Sequence, residues 1–214
     1  MTIFSILIFP LASLWLISGE PEAERFKQLW SDFRDYFLPG LFYFIPAPFI
    51  VNLLTGFLNR TYSLANIYLF HFFTDFFYYQ LILTAFCLFK FRNMMYSGTD
   101  EKIKHYFLFF SGFFTALAVY SNFSSSSYGD FYSYFILPVS WFLMAGFTVF
   151  FMVYKDMESG IVKGLYISGL FLFPAAASLI PFFFYIRLYF LSGFILLLIG
   201  LTGYFLLRAN RIEL

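Results

Sequence analysis

The sequence predicts an all-α fold, a polytopic bundle of transmembrane helices, and three observations carry that prediction. Of the 214 residues, 61% are hydrophobic and 12% charged, against roughly 45–50% and about 25% in soluble domains, so polar surface could not cover one compact soluble core. The mean hydropathy is +0.78. The apolar residues fall into tracts of about 20, the length that a helix rising about 1.5 Å per residue needs to cross about 30 Å of hydrocarbon. Lys and Arg, finally, alternate between dense and sparse segments, as the loops of a multi-span protein do.

Seven tracts qualify or nearly so: 2–18, 37–58, 67–89, 106–123, 134–154, 164–186 and 188–207. The first is the weakest, with Pro10 inside it, and if it lies in the interface six spans remain. It has no positively charged start and no small-x-small cleavage site before Gly19, so it reads as a retained helix and not as a signal peptide. Residues 20–36 then read as an amphipathic helix on the cytoplasmic surface. Glu20, Glu22 and Glu24 suit its positive end, Ser18 or Gly19 caps it, and Pro21 fits its first turn. Phe26, Leu29, Trp30, Phe33 and Phe37 recur at helical spacing on one face, which either docks a partner or anchors the second span. The last two tracts run together and must fold back near Arg187 as a hairpin.

Orientation follows from the basic residues, because positive loops stay cytoplasmic. Arg25, Lys27, Arg34, Lys90, Arg92, Lys102, Lys104, Lys155, Lys163, Arg208 and Arg211 fall on one side, and only Arg60 and Arg187 on the other. The loops 59–66 and 124–133 are expected outside, the N-terminus outside with seven spans, and the C-terminus in the cytoplasm.

Seven of the eight prolines lie in or beside apolar tracts, and Pro46, Pro48, Pro174 and Pro181 should kink or break the second and sixth spans. Pro10 and Pro138, and Pro46 and Pro174, are each 128 residues apart, with partly similar flanks. If that echo is a duplication, spans one to three and five to seven are parallel repeats joined by span four. Close helix contacts are expected at the small residues: Gly112 with Ala116, Gly164 with Ser168, and Gly200 with Gly203. The many Phe and Tyr are lipid-facing and interfacial filler.

Chemistry has few places to reside. Asp75 is the one charged side chain well inside a span, where it costs about 2.5–3.5 kcal/mol on insertion scales, so it needs a partner. His71 stands one turn away on the same face, about 6 Å along the axis, and Tyr68, Thr74, Tyr78 and Tyr79 extend the stripe. The functional reading is a protonatable pair lining an outward-opening cavity, with Asn52 and Arg187 as further pathway residues. The alternative is a buried hydrogen bond that ties helices together. A single cysteine, Cys87, and two histidines, His71 and His105, leave no metal or disulfide pattern, and no cofactor motif occurs. His105 follows Lys102 and Lys104 and reads as an interfacial side chain. Phosphate loops, His-Glu-x-x-His and Gly-x-Ser-x-Gly are absent, so an intramembrane enzyme is the least supported class. Without a lysine in span seven there is no retinal Schiff base. The balance of 13 Lys+Arg against 12 Asp+Glu argues against nucleic acid.

The span order of residues 20–186 and the basic 90–104 loop with Tyr96-Ser97-Gly98 resemble the Yip (Ypt-interacting protein) membrane domain. Its bacterial members often begin with an amphipathic segment and then cross five times. The Asp-Leu-Tyr-Gly-Pro run of eukaryotic members is missing, and spans one and seven are additions. The resemblance implies a scaffold that recruits a partner through its cytoplasmic face, on helix 20–36 and loop 91–105. The prolines and the three-one-three order also resemble the SWEET sugar facilitators, although Pro10-Leu11 and Pro138-Val139 stand where a Pro-Gln pair is expected. The leading expectation is a non-enzymatic carrier of a small solute or ion, or the membrane subunit of a transport assembly. Its setting is a lipid bilayer, the inner membrane of a bacterium; a Yip-like scaffold is the alternative.

Overall fold

A computed structural model describes residues 7–12, 30–56, 63–93, 98–124, 135–154 and 159–211, and among these every regular element is helical. In chain order they are α1 (7–12), α2 (Trp30–Thr55), α3 (Leu64–Phe91), α4 (Thr99–Ser124), α5 (Leu137–Tyr154), α6 (Gly160–Tyr185) and α7 (Tyr189–Arg211). Five helices, α2 to α6, are long and apolar enough to cross a membrane, in α4 through Glu101–Phe123. In α7 the apolar part is the shorter Tyr189–Thr202. Of the expected first span only 7–12 is described, and of the expected surface helix 20–36 only its end. There the chain differs from expectation: from Trp30 it runs helically without interruption into Phe37–Phe44, so 30–36 are the first turns of α2.

Side-chain contacts set the helix directions. α2 and α4 are parallel, since Asp32 meets Lys104, Tyr43 meets Phe109, and Phe44 meets Phe113 and Tyr120. α3 opposes α4, with Phe91 on Tyr106 and Tyr79 on Phe113. It also opposes α6, with Tyr68 on Phe182 and Gln80 on Leu170. α5 opposes α6 through Phe147 on Phe173 and Tyr154 on Tyr166. Thus α2, α4 and α6 point one way and α3, α5 and α7 the other.

The core sits along α4 and α5, where Phe109, Phe110, Phe113, Phe114, Trp141 and Met144 are buried. Phe9 of α1 is fully buried beside Phe114 and Phe142 while Leu7 and Leu11 are exposed, so this segment packs on the bundle by one face. The outer helices expose Phe49, Leu53, Phe89, Ile161, Leu172 and Phe190, an apolar surface that only a lipid bilayer or another apolar body would cover without cost.

Glycine sets the closest approach. A Cβ on Gly112 would overlap the Phe37 carbonyl, and one on Gly40 the Phe109 carbonyl, so α2 and α4 touch backbone to backbone at reciprocal glycines. Gly112 therefore packs on α2 around Gly40, a partner the small-residue spacing did not indicate. Gly164 and Gly200 have nothing within 4 Å of a built Cβ; in α6 the close contact is Gly169, facing the Phe151 ring.

The prolines divide. Pro46 ends the first half of α2 at a two-residue turn, and Pro48 lies in the first turn of Ala47–Thr55, where a missing N–H costs nothing. Pro174 and Pro181 lie inside α6, which continues through both. Pro46 and Pro174, equivalent under the 128-residue echo, thus have different backbone settings. The α6–α7 turn is a Schellman cap. Leu188 N–H reaches Phe183 O at 2.8 Å and Arg187 N–H reaches Phe184 O at 3.0 Å, with Arg187 left-handed at φ 65°.

Candidate functional site

The site is built on α3. Ser63 accepts from Asn66 N–H and caps the helix start. Eight residues later the helix widens into a π turn, Phe72–Phe77. The Thr74 hydroxyl lies 2.7 Å from the Phe70 carbonyl one turn earlier. π turns are uncommon and concentrate at functional sites.

Asp75 lies in this turn and His71 just before it, and His71 Nδ1 and Asp75 Oδ2 are within hydrogen-bond distance at 2.8 Å. The Thr74 hydroxyl lies 3.1 Å from Asp75 Oδ1. Asp75 keeps 26% of its side-chain surface exposed while His71 keeps 3%. The acid is therefore open on one side and backed by a buried imidazole on the other. The Tyr185 ring, from the end of α6, lies 5.3 Å from the His71 ring.

Two residues that sequence spacing did not single out complete the surroundings. The Trp141 indole N–H donates to the Asp75 main-chain carbonyl at 2.8 Å, joining α5 to the π turn. A π turn carries one residue more than an α ladder pairs, so a carbonyl at its exit is open to an outside donor. Gln80, 5% exposed, donates from Nε2 to the Leu170 carbonyl of α6 at 2.6 Å. The signal in the sequence was partial: Gln80 is a neutral polar residue within an apolar tract, and only the packing of α3 on α6 sets it near Pro174.

Asn52 and Arg187 are not brought to the pair. Asn52 is exposed on the second half of α2, Arg187 is exposed at the α6–α7 turn, and no hydrogen bond or ion pair joins either to Asp75. The shape of the turn accounts for Arg187: its backbone does the work there. Among the described residues, no three His, Cys, Asp or Glu side chains gather to hold a metal ion.

A second polar cluster overturns the interfacial reading of His105. It is 7% exposed and stacks flat on Tyr36, ring centres 3.8 Å apart at 14°. Asp32, itself 8% exposed, pairs with Lys104 Nζ at 2.8 Å and lies 3.9 Å from His105 Nε2. These charges hold the parallel helices α2 and α4 together at one end, and only the tertiary fold brings residue 32 to residues 104 and 105.

The chain matches no family model, no curated protein and no solved structure.

Proposed function

We propose that this integral membrane protein carries a small solute or ion across the bilayer along a path that passes Asp75, with His71 exchanging the proton that Asp75 takes up or gives away. One observation carries the reading: a carboxylate near the middle of a membrane-length helix, open on one side and hydrogen-bonded to a buried imidazole on the other. A purely structural acid in hydrocarbon gains from being closed off completely, because exposure there forfeits partners. A carboxylate and an imidazole 2.8 Å apart pass a proton between them with little rearrangement. In this reading the C-terminus and the basic segments after α3 and α5 face the cytoplasm of a bacterial cell, on the strength of the Lys and Arg distribution.

The test uses the full chain in liposomes. With Cys87 replaced by Ala, Asp75→Cys should react with a small water-soluble thiosulfonate added from at least one side. Asp75→Asn should abolish proton flux under an imposed potential while abundance stays normal. A cysteine at position 75 that stays inert from both sides removes the pathway. Cysteines at Ser126 and Asn210 test orientation: in intact cells an impermeant thiol reagent should label position 126 and spare position 210.

A further inference from the structure

Pro174 has no N–H, so the Leu170 carbonyl one turn earlier loses its partner within α6. Gln80 of α3 takes its place at 2.6 Å. On the other flank of the proline the Ala175 carbonyl accepts from the Tyr68 hydroxyl of α3 at 3.0 Å and from Ser178 Oγ at 2.8 Å. Tyr68 and Gln80 bracket His71 and Asp75 in α3. The antiparallel register set by Gln80 on Leu170 and Tyr68 on Phe182 places Pro174 opposite the π turn, at the depth of Asp75 and Phe76.

We propose that Gln80 and Tyr68 are positioning residues that strap α6 at its Pro174 hinge against α3, and that releasing the straps opens access to the Asp75–His71 pair. This rests on the pathway reading of that pair. The physical case is the placement of the donors. Within an ordinary helix the Leu170 carbonyl would be satisfied by its own ladder, and the Tyr68 bond to the Ala175 carbonyl adds a second tie from α3 just past the proline. The proline removes one rung, and the missing donor is supplied from the neighbouring helix that carries the acid. Gln80 is held there at a cost, since its Oε1 is buried with no hydrogen-bond partner among the described residues. The bond to Leu170 offsets that cost only while the hinge is closed. Tyr185 of α6 rests against His71, so a swing of the C-terminal half of α6 about Pro174 moves the cover of the pair directly.

Two measurements on the full chain test this. The first is a thermal-stability cycle of Gln80→Leu and Pro174→Ala. Alanine restores an N–H to the Leu170 carbonyl, so Gln80→Leu should lower the melting temperature with proline at 174 and have little effect with alanine; additive effects overturn the strap. The second is the thiosulfonate rate at Asp75→Cys in the Cys87→Ala background. Gln80→Leu, and the milder Tyr68→Phe that removes one oxygen only, should each raise it by at least about fivefold, the factor one net hydrogen bond sets. A position 75 that reacts in the parent but no faster in either variant overturns the gate and leaves the pathway standing. A position 75 inert in every variant overturns both.

Discussion

The glycine crossing of α2 and α4 yields the sharpest stability prediction. A Cβ on Gly112 would overlap the Phe37 carbonyl oxygen and stand 3.0 Å from its carbon and 3.1 Å from Leu41 N, all of them backbone atoms. Carbon and oxygen ordinarily meet at about 3.3 Å or more, so the helices must part by about 1 Å, and no rotamer change relieves the clash. Overpacking of this kind costs roughly 1–3 kcal/mol, and a contact between two rigid backbones belongs at the top of that range. For a chain of this size about 3 kcal/mol corresponds to a melting temperature lower by roughly 6–12 °C. Gly40→Ala should do the same, because its Cβ overlaps the Phe109 carbonyl. The double variant should cost less than the sum, since helices already parted by one methyl have room for the other. Gly164→Ala and Gly200→Ala meet nothing within 4 Å and should be neutral or, through helix propensity, stabilising by up to about 1 kcal/mol. Differential scanning fluorimetry of the purified protein in one detergent separates these cases. A Gly112→Ala protein as stable as Gly164→Ala would refute the backbone contact.

Three further expectations concern polar groups and the turn. Asp75→Leu strips the buried His71 Nδ1 of its acceptor and should lower the melting temperature, by the equivalent of about 1–3 kcal/mol, whereas Asp75→Asn should keep most of that stability while losing transport. Lys104→Met leaves the buried Asp32 carboxylate without its 2.8 Å partner and should destabilise by about 3–5 kcal/mol; pairing it with Asp32→Leu should recover much of the loss, as measured by melting of the double variant. Arg187→Gly removes a side chain from a left-handed backbone position and should stabilise by about 1 kcal/mol with transport unchanged, a result that a pathway role for Arg187 would reverse.

Composition and tract length alone determined that this chain is an all-helical protein suited to a bilayer, because apolar residues at 61% have no soluble solution and backbone groups in hydrocarbon must bond within their own helix. The local pairing of His71 with Asp75 was legible for the same reason: residues four apart meet on any helix, whatever surrounds it. Everything that depends on one helix meeting another was decided by the tertiary structure. Gly112 could be read as a contact residue, but not that Gly40 faces it, since small residues mark a surface without naming its partner. His105 looked interfacial because its neighbours in sequence are lysines, and it is buried because Asp32 and Tyr36, more than sixty residues away, arrive on a parallel helix. Pro174 announced a lost hydrogen bond, but helical spacing said nothing of where the replacement donor comes from. Gln80 supplies it because antiparallel packing of α3 on α6 sets the two at one depth, a register written in the packing of two faces and in neither helix alone.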